Sequence, residues 1–183
     1  MGLLLIYATR LFLRPARLDK SSAPRFLFFT NAIEVLGGNV DVMAKIALIS
    51  CGRAKAEVKY PNTIKAESLY ISPLFKKALK YAKEKINADR IFILSAKHHL
   101  LNLNDQISEY DYTLNGKKSD VVKAWSDQVR RQLKAEGVDF TNDEIFILAG
   151  KNYYKHLITD EFSKVRCLYQ NMRIGQILRF LSE

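Results

Sequence analysis

The 183-residue chain has two cysteines, Cys51 and Cys167, with no CxxC pair and no Cys/His set at zinc spacing. That is too little sulfur for a disulfide framework and the wrong spacing for the common zinc modules. The expected setting is a reducing cytoplasm, with no metal and no cofactor. Four prolines and eight glycines do not make a collagen-like or Pro/Gly-rich disordered chain. No repeat or low-complexity segment is visible. No apolar run reaches the ~20 residues that a membrane-spanning helix needs, and "LLLIYATRLFLRPAR" is cut by Arg10. Neither GxxxxGK(S/T) nor GxGxxG occurs, which disfavours ATP hydrolysis and dinucleotide binding.

Acidic residues are scarce relative to basic ones. Lys and Arg total 29 against 19 Asp and Glu, a formal charge of +10. Such an excess favours polyanions: nucleic acid or a nucleotide, anionic lipid, or a phosphorylated small molecule. The lysines are scattered, so a merely solvated surface is the competing explanation. At 48% apolar and 26% charged the composition is that of a globular protein long enough for one domain with its own core.

Residues 1–42 read differently from the rest. They are apolar, carry Arg10, Arg14 and Arg17 before the first acid at Asp19, and lack the charge order of a secretory signal. Met43 then opens "MAKIALISCG", an ordinary start for a protein that begins on a strand. The expectation is that residues 1–42 are a translated leader foreign to the native domain, and that 43–183 form that domain. Five basic and three acidic residues precede Met43, which leaves 24 and 16 and a net +8 in the main domain. No membrane contact is expected of it.

"AKIALIS", "DRIFILSA" and "DEIFILAG" are near-continuous apolar runs, the pattern of strands covered on both faces, and "VRCLY" reads as a short fourth. Between them, "PLFKKALKYAKEKI" carries an apolar stripe of Leu74, Ala78, Leu79, Ala82 and Ile86 behind Pro73. "KSDVVKAWSDQVRRQLKAEG" carries Val122, Trp125, Val129 and Leu133, with Ser119 as the cap and Gly137 as the stop. "KNYYKHLITDEF" and "IGQILRFLSE" also read as helices, and residues 53–73 as an irregular loop. Strands alternating with helices predict a single α/β domain with a mainly parallel sheet and helices on both faces.

Ligands of such sheets bind beyond the carboxyl ends of the strands. Here three strands run out into "SCGRAK", "SAKHH" and "AGKNYY". Small residues leave backbone N–H groups open to an anion, and Lys55, Lys97 and Lys151 add charge. Ser50, Gly52 and Ser95 join them as candidate phosphate contacts. Cys51 is either a nucleophile near amines or a small buried residue at a tight strand exit. His98 and His99 are a candidate base, one of the two facing the site because neighbours on a strand alternate. Asp105, Tyr110 and Asp111 either orient a base and steady positive charge, as carboxylates do in glycosidic cleavage, or cap turns and tie down a loop. Tyr153 and Tyr154 offer rings for a nucleobase, with core packing the alternative for at least one of them. Trp125 and Cys167 belong to the core.

The motifs "SCGRAK", "LYISPLF" and "LSAKHHLL", followed by Asp105 and the Tyr110–Asp111 pair, resemble the YaaA-like peroxide-stress family over about Lys45–Leu181. More closely they resemble small bacterial and phage proteins related to it. The resemblance implies an α/β fold and a DNA-associated role in limiting oxidative damage, without a catalytic mechanism to carry over. His99 stands where that pattern has Gly, so a positive φ there would strain it.

The leading expectation is a protein that binds nucleic acid or a nucleotide, with action on a nucleobase or glycosidic bond as its chemistry. The alternatives are an enzyme using Cys51 or Asp105 on a phosphorylated metabolite, and an interaction protein without a pocket. The first requires Ser50, Lys97, Asp105 and Lys151 to face one hollow.

Overall fold

A computed structural model describes residues 43–183, within one compact unit. The expected leader, residues 1–42, lies outside the described residues. In chain order the elements are β1 (Lys45–Ser50), β2 (Ile64–Lys65), α1 (Ala66–Leu69), α2 (Pro73–Tyr81) running on as a π-turn (Ala82–Ile86), β3 (Arg90–Ser95), β4 (His99–Asn102), β5 (Gln106–Ile107), α3 (Ser119–Ala135), β6 (Glu144–Leu148), α4 (Lys151–Tyr154), β7 (Val165–Cys167) and α5 (Ile174–Phe180). The main sheet has the order β4-β3-β1-β6-β7. β3, β1, β6 and β7 are parallel, and β4 is antiparallel to β3. The fold is therefore α/β with a mostly parallel sheet. Among the described residues no helix is long and apolar enough to cross a membrane.

Side-chain alternation along β1 explains the two cores. Ile46 and Leu48 pack with Trp125, Val129 and Leu133 of α3. Ala47 and Ile49 face the other way, onto Phe75 and Ala78 of α2, Ala82 and Ile86 of the π-turn, and Ile177 of α5. Helices therefore cover both faces. Ser72 caps α2, its hydroxyl accepting from Phe75 N at 3.3 Å, with Pro73 in the first turn. The buried stripe of α2 runs through Phe75 rather than Leu74, which is half-buried. A straight helix drifts by about 40° every four residues. The π-turn takes up that drift and keeps Ala78, Ala82 and Ile86 on one face.

The crossovers set the position of the site. β1 to β3 steps one way along the sheet through α2. β3 to β6 steps back past β1 through α3. Parallel crossovers are right-handed, so reversing direction puts α2 and α3 on opposite faces. The chain leaving β1 and the chain leaving β6 consequently part, and a crevice opens between them.

Several expectations need correction. Residues 53–73 are not irregular throughout: they contain β2 and α1, and Ala66, Leu69 and Tyr70 are fully buried. "SAKHH" is not an open strand exit beyond the sheet. Ala96–His98 turn the chain into a hairpin in which His99 pairs with Ser95, so β4 returns as an antiparallel edge. His99 has φ +64°, the left-handed conformation that a Gly would adopt without strain. The helix read across "KNYYKHLITDEF" stops at Tyr154, after which turns carry Leu157 into the core. Lys118, not Ser119, is the N-cap residue of α3, and the Ser119 hydroxyl bonds His156 Nε2 at 3.0 Å instead.

Candidate functional site

A hollow of about 430 Å³ occupies the crevice. Three chain segments wall it: Cys51–Lys55 after β1, Asp111–Asn115 before α3, and Tyr153 in α4 after β6. Hydrogen bonds join the segments to one another. Cys51 Sγ and Tyr153 Oη are 3.3 Å apart, and Asn152 Nδ2 donates to Asn115 Oδ1 at 2.9 Å. Leu114 is buried in the α3-side core and anchors the middle segment. The first segment is fixed by backbone bonds: Cys51 N to Leu94 O at 3.0 Å, Ile71 N to Ala54 O at 3.1 Å and Ala56 N to Leu69 O at 2.8 Å.

Gly52 shows why this strand exit is so tight. A Cβ there would sit 2.3 Å from the Ser72 hydroxyl and 3.1 Å from Ser72 Cβ. Its role is thus set by the approach of the α2 cap, in addition to its place on the hollow's wall. Charge at the hollow comes from Arg53, Lys55 and Asp111. Arg53 has no carboxylate within ion-pair distance among the described residues. Lys55 Nζ donates to Arg53 O at 3.3 Å and stands 4.4 Å from the centroid of the Tyr110 ring. The Cys51 amide is committed to β3 and is not open to an anion here.

Beneath the rim lies a hydroxyl relay. Tyr110 Oη is 2.8 Å from both Tyr70 Oη and Ser95 Oγ, and Ser95 Oγ also accepts from His98 N at 3.0 Å. Trp125 Nε1 donates to Ser95 O at 2.9 Å. Burial pushes the Tyr70 phenol up to about 12 and drives those of Tyr110 and Tyr153 higher still, so all three stay protonated donors at neutral pH. The His98 ring meets Tyr110 edge-on, centroids 5.1 Å apart. Burial, with Lys97 and His99 adding to it, holds His98 below its ordinary value.

The hollow brings together Cys51, Gly52, Lys55, Asp111 and Tyr153 of the sequence-derived candidates. It does not bring together Ser50, Lys97, Asp105 and Lys151, none of which lines it. Ser50 turns its hydroxyl toward Leu148 O at 3.5 Å, within the sheet. Asp105 closes the turn after β4, its Oδ2 accepting from Asn102 N at 2.8 Å. Ser95 is wholly buried, so it supports Tyr110 and cannot reach a phosphate. Lys151 is exposed in the first turn of α4; Tyr153 and Tyr154 both pack against the α3-side core, and of these two only Tyr153 also lines the hollow. Lys97 lies on a second, neighbouring hollow with His99. Among the described residues no three His, Cys, Asp or Glu side chains converge to hold a metal ion.

Sequence reasoning passed over Arg53, Tyr112, Thr113 and Asn115. Arg53 was visible inside "SCGRAK", and Tyr112 follows the Tyr110–Asp111 pair directly. Thr113 and Asn115 reach the site only because Leu114 is drawn into the core.

The model of a family of unknown function, DUF6884, matches residues 46–183. The chain belongs to this family. The match takes in all three walls of the hollow and the hydroxyl relay beneath it. No curated protein matches the chain, and no solved structure does.

Proposed function

We propose that the chain binds a nucleotide unit, free or within nucleic acid, in the hollow between the β1 and β6 exits. The observation that carries this is the combination on one wall set: Arg53 and Lys55 for phosphate, the flat rings of Tyr112 and Tyr153 for a base, and Asp111 as an acceptor for sugar or base N–H and O–H groups. Anion, aromatic and hydrogen-bonding partners at one strand-order reversal are what a nucleotide requires, whereas a purely apolar ligand would leave the cations desolvated without a partner. If chemistry follows binding, Asp111 is the carboxylate placed to steady positive charge at a glycosidic carbon. The resemblance to YaaA-like proteins agrees with a nucleic-acid role and forms part of the same proposal.

Titration with mononucleotides and short oligonucleotides at low and at physiological salt tests it. Binding should weaken as salt rises, and the Arg53→Ala/Lys55→Ala pair should reduce affinity by roughly tenfold or more, each lost phosphate contact flattening the salt dependence. Undetectable binding of every nucleotide and oligonucleotide at low salt would overturn it. A second reading, an enzyme using Cys51 on a phosphorylated metabolite, is favoured by one observation: Cys51 Sγ lines the hollow with Tyr153 Oη 3.3 Å away. Cys51→Ser separates the two, because a binding site keeps its affinity and a thiol-dependent enzyme loses turnover with its fold intact.

A further inference from the structure

The second hollow, about 640 Å³, lies between the β3–β4 hairpin and α3. Its wall includes Lys97, His99, Tyr112, Trp125, Gln128 and Arg131, and no carboxylate. Tyr112 is the one residue on the walls of both hollows. It stands 39% exposed, with Lys117 Nζ 4.8 Å from its ring centroid. Arg53 and Lys55 line the first hollow with it, and Lys97 and Arg131 line the second. Lys55 and Lys97 meanwhile flank one further ring, that of Tyr110, at 4.4 and 5.5 Å from its centroid.

We propose that the two hollows form one track for single-stranded nucleic acid, with Tyr112 as the stacking platform between successive nucleotides. This deepens the nucleotide reading of the first hollow and rests on it. An exposed ring shared by two hollows that each carry an amine and a guanidinium group matches a backbone with charge at every residue and bases free to stack. A duplex keeps its base faces covered and has none to offer the ring. Arg131 is held ready: Gln128 Oε1 accepts from its Nε at 3.1 Å and Nη2 at 2.6 Å, which leaves Nη1 without a partner among the described residues. Burial keeps His99 below its ordinary value, so at neutral pH it is a flat, uncharged ring on the same wall.

Fluorescence anisotropy on the full chain, using labelled oligo-dT of one, two, four and eight nucleotides, an eight-base-pair duplex and poly-glutamate as competitor, tests the track. Affinity should climb at least tenfold from the mononucleotide to the octamer, with the duplex weaker. Tyr112→Ala should cost the octamer roughly tenfold, within the range for loss of one base–aromatic stack. Arg131→Gln should weaken the octamer more than the mononucleotide and reduce the salt slope by about 0.7, the value for one phosphate contact on a single strand. Both side chains are exposed, so unchanged urea midpoints are expected of both variants. An octamer that binds no tighter than the mononucleotide overturns the track and spares the first hollow. Equal binding of duplex with no effect of Tyr112→Ala, or displacement by poly-glutamate as efficient as by oligonucleotide, also overturns it. Failure of mononucleotide and octamer alike removes the nucleotide reading and the track together.

Discussion

Replacing Gly52 by Ala tests whether the α2 cap and the β1 exit compete for the same space. The new Cβ would lie 2.3 Å from Ser72 Oγ and 3.1 Å from Ser72 Cβ. The hydroxyl is at the free end of a short side chain, so it rotates away and gives up its bond from Phe75 N. Loss of a Ser cap costs about 1 kcal/mol, in a range of roughly 0.5–2. The remaining Cβ contact adds several tenths as mild overpacking. The expected total is about 1.5 kcal/mol, which lowers Tm by roughly 3–6 °C for a domain of this size. The decisive comparison is Ser72→Gly. Gly at an N-cap costs only a few tenths of a kcal/mol, and it removes the obstructing atoms. In that background Gly52→Ala should be close to neutral, a coupling of about 1–2 kcal/mol measured by urea denaturation as a double-mutant cycle. If Gly52→Ala costs the same in both backgrounds, close approach of Ser72 is not what requires glycine here.

Tyr110→Phe removes the hydroxyl shared by Tyr70 and Ser95, leaving a buried Tyr70 phenol unpaired. A loss of about 1–3 kcal/mol is expected in urea unfolding, and Tyr70→Phe added to it should recover part of that loss, since both partners are then apolar. pH acts through the two depressed histidines. His98 and His99 bind protons less readily folded than unfolded, so stability is complete above the ordinary histidine value near 6.5 and falls as pH drops below it. Urea midpoints at pH 7.5 and 5.5 measure that fall. His98→Gln should flatten it, and an unchanged pH dependence in His98→Gln/His99→Gln would rule the histidines out.

The long elements were legible because their patterns had no competitor. "KIALIS", "RIFILS" and "EIFIL" are apolar on both faces, which suits only strands covered from both sides, and α3 kept its stripe of Val122, Trp125, Val129 and Leu133. β4 was hidden because its hairpin carries no glycine: His99 takes the left-handed position that usually announces such a turn. β2 and α1 have two and four residues, too few for a period, and their burial comes from neighbours far along the chain. The cluster of Cys51, Gly52, Lys55 and Asp111 was readable from the rule that sites form beyond strand ends. Asp105 and Ser95 looked alike in sequence, but only tertiary packing shows that each is occupied in holding a turn. The second hollow exists where α3 meets the residue-112 segment, a meeting that no local spacing encodes.

The two outermost strands of the described sheet are short, four residues in β4 and three in β7. An outer strand is where unpaired backbone groups invite another chain to add itself. Here that ladder ends within a few residues at either margin. Strand-by-strand growth between molecules therefore has little template to start from, even though the strands in between are among the most apolar stretches of the protein.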